Sequence, residues 1–212
     1  MEARLSNAGL LKRIIDGMRD MVTETNINCD EHGITLQCMD SNHVGLVALE
    51  LKGCELVYYS CKKNVSIGVN MASLSKILKC GNNDDVLTLA FDATDVLNIM
   101  FEGRDGACIS QFELKLMEID SEQFELPETT FAANVRMPSA ELQRICRDLV
   151  TIGDTIVFSV DNIGIKFHVN GDLGNGNITL IPGKDNDITM QCSEHVELMF
   201  SLRYINMLTK AS

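Results

Sequence analysis

Eight cysteines, four histidines and 30 acidic side chains are the chain's material for metal or acid–base chemistry. The cysteines stand at 29, 38, 54, 61, 80, 108, 146 and 192, and no two form a C-x-x-C pair. His32, His43, His168 and His195 do not complete a zinc pattern with them. They read as small buried thiols in a reducing compartment. The segment Gly171-Asp172-Leu173-Gly174-Asn175-Gly176-Asn177 is rich in glycine, but no GK[ST] helix follows it. It reads as a turn or edge bulge, not a phosphate cradle. Asp84 with Asp85, and Asp92 with Asp95, are explained as loop carboxylates of an acidic protein. No nucleophile–base arrangement emerges. Asn64-Val65-Ser66 and Asn177-Ile178-Thr179 match glycosylation acceptors, which carry no meaning in an intracellular chain. No catalytic residue, metal or cofactor is expected. An enzyme on an α+β scaffold stays as the minor alternative.

Composition narrows the classes that remain. The 212 residues are 45% hydrophobic and 23% charged with three prolines, which suits ordinary globular domains rather than disorder. No apolar run reaches the roughly 18 residues that a membrane span needs. The N-terminal segment is charged from Glu2 and Arg4 onward and does not read as a secretory signal, so the expected location is intracellular. A net charge of −12 argues against a general nucleic-acid binder, until its distribution is inspected.

Four segments carry helical periodicity: Ala8 to Val22, Ala72 to Lys79, the stretch MPSAELQRICRDL with Ser139 as its expected N-cap, and about Leu202 to Lys210. Their starts recur about every 65 residues, long enough for one helix and several strands. Strands are expected at Ile34–Cys38, Val44–Leu51, Val86–Phe91, Val96–Phe101, Ile109–Leu116, Ile156–Val160, Ile165–Val169, Ile178–Ile181 and Val196–Phe200. The class is α+β, with helices gathered on one side of antiparallel sheet. Glu118 to Glu128 holds five acids, no base and Pro127, and reads as an exposed linker.

The helices hold nine of the 18 bases: Lys12, Arg13, Arg19, Lys76, Lys79, Arg144, Arg147, Arg203 and Lys210. They hold only four of the 30 acids: Asp16, Asp20, Glu141 and Asp148. No acid occurs from Leu56 to Asn83, a span that also contains Lys62 and Lys63. Lys and Arg are good helix formers and populate solvated faces for that reason alone. The alternative is a polyanion-facing surface made by bringing the helices together, with an acidic exterior that discourages contact from the wrong side.

The strings LLKRIIDGMRDMV, LQCMDSNHVGLVALEL, MASLSKILKCGNNDD, FELKLMEIDSEQFELPE, RMPSAELQRICRDLVTIGD, GDLGNGNITL and LRYINMLTKA, in that order, resemble the eukaryotic sliding-clamp family of proliferating cell nuclear antigen. The resemblance covers essentially the whole chain. It implies a DNA-clamp fold of two similar domains, each of βαβββ repeats, with helices lining the inner face and antiparallel sheets outside. The implied domains are 1–117 and 134–212, joined by a linker at 118–133. The last repeat lacks the strands that follow the helix in the others, so the resemblance implies a C-terminally shortened clamp.

Three such subunits would close into a nuclear ring around duplex DNA, contacted without regard to sequence. The ring would serve as processivity factor for the replicative DNA polymerase. It would dock flap nuclease, DNA ligase and clamp loader through short peptide motifs. A shortened paralogue that binds partners without encircling DNA is the alternative. The implied DNA-facing bases are Lys12, Arg13, Arg19, Lys76, Lys79, Arg144, Arg147 and Lys210, with Lys62 and Lys63 in the same basic stretch. The implied peptide pocket takes Met39, His43, Val44 and Leu46 from one loop, and Phe124, Leu126, Pro127 and Phe131 from the linker. Subunit contact would pair the strand holding Ile109 and Phe112 with the strand holding Ile178 and Leu180 of the next subunit. Asn162 stands where the family usually has a lysine that accepts ubiquitin or SUMO. Cys108 replaces a base of the hole, and Thr151 a nearby histidine.

Overall fold

A computed structural model describes residues 1–120, 129–183 and 187–210. The chain divides into two compact units, Met1–Glu125 and Leu126–Lys210. In the first, the order is β1 (Glu2–Leu5), α1 (Gly9–Met18), β2 (Glu24–Cys29), β3 (Gly33–Met39), β4 (Leu46–Lys52), β5 (Tyr58–Ser60), β6 (Val65–Asn70), α2 (Met71–Leu78), β7 (Val86–Ala90), β8 (Val96–Glu102) and β9 (Ile109–Lys115). Setting β5 aside, this is a βαβββ repeat followed by another. The class is α+β, as the periodicities require.

The two repeats exchange strands. One sheet has the order β4-β3-β2-β6 and the other β5-β1-β7-β8-β9, and every pairing is antiparallel. Each sheet therefore takes three strands from one repeat and the leading strand of the other. The apolar side chains of both sheets meet those of the helices in one core, with Ile15, Leu36, Ile67, Leu78, Leu87 and Phe101 almost fully enclosed. After β9 the chain runs beside β6: the Met117 N–H donates to the Gly68 carbonyl at 3.0 Å, and the Asn26 amide donates to the Ile119 carbonyl at 2.8 Å.

The second unit repeats this plan with β10 (Ala133–Arg136), α3 (Ser139–Leu149), β11 (Thr155–Val160), β12 (Ile165–Gly171), β13 (Gly174–Leu180), β14 (Thr189–Cys192), β15 (Val196–Ser201) and α4 (Leu202–Thr209). The sheet β13-β12-β11-β15 matches β4-β3-β2-β6, and β10 pairs with β14 as β1 pairs with β5. Even the turns agree. The Asp30 carboxylate accepts the backbone N–H of His32 at 2.7 Å and of Gly33 at 3.0 Å, and Asp161 accepts those of Ile163 and Gly164 at the same two distances. Both carboxyls are held below the ordinary value of 3.8 by these N–H donors.

Several expectations need correcting. Ser139 is not an N-cap. It is the first helical residue, because Pro138 before it is extended and its carbonyl takes the N–H groups of Glu141 and Leu142. Helix α1 ends at Met18, earlier than the apolar pattern to Val22, although Met21 and Val22 are buried in the turn that follows. The glycine-rich segment does contain a turn, a two-residue hairpin, and continues as the first half of an edge strand, since β13 begins at Gly174. Gly176 leaves room there: an added Cβ would lie 2.8 Å from the side chains of Leu149 and Ile152. The strands β1, β2, β5, β6, β10 and β14 are not marked by residue pattern, although a βαβββ repeat implies a strand before each helix.

Candidate functional site

Helix α2 is anchored by Asn70, whose side chain accepts the Ser73 N–H at 3.0 Å, and it packs beside α1. The apolar stripes face the core, which sends Lys12, Arg13, Arg19, Lys76 and Lys79 to the opposite side. At the seam, the Asp16 carboxylate lies 3.3 Å from the Lys79 ammonium and 3.4 Å from the Arg19 guanidinium. It also accepts the hydroxyl of buried Ser75 at 2.8 Å, and that hydroxyl takes a hydrogen bond from Arg19 at 3.2 Å. Burial pushes the Asp16 carboxyl up, but Ser75, Lys79 and Arg19 outweigh it and hold the group below its ordinary 3.8. Lys12 reaches beyond the end of α2, donating to the Gly81 carbonyl and, at 3.3 Å, to Asn83. A cation there suits the negative end of a helix. Arg13 and Lys76 are exposed.

In the second unit α3 packs beside α4, joined by the Gln143 amide donating to the Thr209 carbonyl. Arg144 is bracketed on its own helix by Glu141 at 2.7 Å and Asp148 at 3.1 Å. That contact holds Glu141 below its ordinary 4.5. Arg147 and Lys210 are exposed. Where α1 has Asp16, two residues before its last, α3 has Arg147. Lys62 and Lys63 lie on the connection from β5 to β6, where they line an open groove with Met1, Phe91 and Asp92 rather than standing on a helix.

The loop from β3 to β4 is built around one carboxylate that residue type alone did not single out. Asp40 is 3% exposed and accepts the backbone N–H groups of Val44 and Gly45 at 2.7 Å each and of Asn42 at 3.0 Å. His43 adopts the left-handed region, with φ 54°, to close the turn. Val44 is thereby thrust outward, 72% exposed, between half-buried Met39 and Leu46. Phe131, in the other unit, is also 72% exposed. Phe124, Leu126 and Pro127 lie outside the described residues.

Strands β9 and β13 are each the last strand of their sheets. On β9, Ile109 is exposed whereas Phe112 packs edge-on against Phe101 at 6.0 Å. On β13, Ile178 and Leu180 pack against the core of their own unit. Asn162 is exposed in the Asp161 turn, and Cys108 and Thr151 are exposed too. Burial pushes the Cys29 thiol up to about 12 and raises Cys38 and Cys146. The expectation of buried thiols fails for Cys54, Cys80 and Cys108, which are exposed.

A model of the N-terminal domain of proliferating cell nuclear antigen matches residues 1–124, and a model of the C-terminal domain matches residues 125–212. The chain belongs to the proliferating cell nuclear antigen family. A curated relative, the Proliferating cell nuclear antigen of Chaetomium thermophilum, is 42% identical over 218 residues, which cover 100% of this chain and 84% of the relative. The family places the chain among the DNA sliding clamps of replication and repair, proteins that hold DNA without catalysing a reaction on it.

Proposed function

We propose that the chain forms a homotrimeric ring in the nucleus and encircles duplex DNA. There it serves as processivity factor for a replicative polymerase and as docking platform for nuclease, ligase and clamp loader. The observation that carries this reading is the doubled helix pair: in each unit two helices pack side by side and present bases on the face turned away from the core. Arg13, Lys76 and Arg147 are available to phosphate, while Lys12, Arg19, Lys79 and Arg144 are already engaged within the protein. Lys210 is added by its position at the C-cap of α4. Contacts of this kind read charge and not sequence, which is what sliding requires.

Docking is assigned to the Asp40-held loop, with Val44 as its projecting apolar residue and Met39, His43 and Leu46 around it. The linker, taken as 118–133, would supply Phe124, Leu126, Pro127 and Phe131. Peptides bound in this way seat aliphatic and aromatic anchors in an apolar cleft. Ring closure is assigned to the edges of β9 and β13. Unlike edges paired head to tail close by rotation. Ile109 is the apolar side chain free for that contact. Lys62 and Lys63 are kept as further phosphate contacts.

Native mass and DNA topology test the reading together. A trimer retained on closed circular DNA and released on linearisation is the expected result. A monomer that captures partner peptides but never remains on circular DNA would favour the second reading, a paralogue that does not encircle DNA.

A further inference from the structure

Within the DNA-facing reading, the cations of the first helix pair are not equivalent. Lys76 on α2 and Lys79 at its C-cap lie three residues apart, and both are exposed. Lys76 has no ion-pair partner among the described residues, whereas Lys79 stands 3.3 Å from Asp16. The same carboxylate is 3.4 Å from Arg19, whose side chain is also held by Ser75. Ser75 is 2% exposed and donates to Asp16, so the carboxylate is aimed by a buried group and does not swing freely. An anion fixed between two cations occupies the place that a DNA phosphate would take. In the second pair the matching position carries Arg147, which adds a cation where the first pair subtracts one.

We propose that Asp16 is a resident competitor for DNA phosphate, which keeps the Lys79 and Arg19 contacts short-lived. This rests on the helix pairs facing DNA. A clamp that must move gains from such an anion, because each phosphate contact must break for every step along the duplex. Exposed ion pairs are individually weak, so the competition is one that DNA wins part of the time.

The test uses the whole chain and a labelled duplex of mixed sequence, with affinity measured over a range of salt. Asp16→Asn keeps an oxygen to accept the Ser75 hydroxyl while removing the charge. It should tighten binding about twofold to fivefold, the range of one weak surface ion pair per released cation. The slope of log affinity against log salt should steepen by about 1, since the released Lys79 contributes roughly 0.9 while Arg19 keeps Asp20 at 3.8 Å. A purely structural role for Asp16 would leave that slope unchanged, and an unchanged slope overturns the proposal. An independent comparison is Lys79→Gln against Lys76→Gln in the otherwise unaltered chain. Lys76→Gln should weaken binding more, and the two losses should become equal once Asp16→Asn is present. Equal losses from the start also overturn the proposal, and this comparison stands even where Asp16→Asn folds poorly. The outcomes separate the two readings. If neither lysine substitution alters binding, the DNA-facing assignment fails; if Lys76→Gln weakens binding but Asp16→Asn does not tighten it, only the competitor fails.

Discussion

β6 and β15 occupy the same place in matching sheets, and each leads directly into a helix, yet one is sealed and the other open. In β6, Ile67 and Val69 are 1% and 0% exposed. Leu198 and Phe200, their counterparts by register against β2 and β11, are 53% and 39% exposed. Gly68 has its counterpart in Met199. An added Cβ on Gly68 would lie 2.0 Å from the Met117 carbonyl, whereas Met199 is 72% exposed. Backbone pairing is thus the same in the two units, and burial is decided by what lies over the strand. In the first unit that is the remainder of the β7–β9 repeat and the chain beyond it.

Substitutions should separate the two strands clearly. Ile67→Ala should cost about 2 to 5 kcal/mol, the usual loss for truncating an enclosed side chain. Leu198→Ala should change stability by no more than about 0.5 kcal/mol, as at ordinary surface sites. Denaturant titration of both variants checks the contrast, and equal losses would break it. The next largest difference is expected at the neighbouring position. Gly68→Ala should cost about 1 to 3 kcal/mol, because the Met117 backbone must move. Met199→Ala should lie near zero by the same titration.

The loops differ in the same spirit. Between β3 and β4 a buried carboxylate holds three N–H groups, whereas β12 and β13 are joined by the bare pair Asp172-Leu173 with Gly174 at φ 131°. Asp40→Ala should lower stability by about 1 to 3 kcal/mol, the cost of leaving buried donors unpaired. It should also weaken capture of an aromatic-anchored peptide, measured by calorimetry, while Leu173→Ala leaves that capture unaltered. The smallest effect is expected where the units agree. Asp30 and Asp161 have folded values below 3.8, so they stabilise the fold above that pH, and the contribution fades as pH falls through the folded value. Asp30→Asn and Asp161→Asn should each flatten the acid limb of a stability–pH curve, and by similar amounts.

The helices were the most legible part of the chain. α2, α3 and α4 begin within a residue or two of where the 3.6 period and capping place them, and their recurrence disclosed the duplication. β1 and β6 were hidden for a physical reason. Glu2 pairs with Ala90 and Asn28 with Ser66, so strands of four and six residues are made by distant partners rather than by local alternation. Residue type alone named the cations. It did not show that Lys12 reaches the Gly81 carbonyl or that Asp16 claims Lys79, because both depend on how closely α2 approaches α1. Asp40 was one acid among thirty until the left-handed turn at His43 folded its loop back over it. Of the four residues implied for subunit contact, Ile109 is exposed in the single chain, whereas Phe112, Ile178 and Leu180 are half-buried against their own units.

The exchange of leading strands between repeats bears on how the first unit is assembled. Since β6 completes the sheet of one repeat and β1 that of the other, neither half owns a finished sheet. A break in the chain near Leu56 would yield two fragments that need each other, not two autonomous pieces. The repeat survives as symmetry, but in the first unit each half borrows a strand from the other.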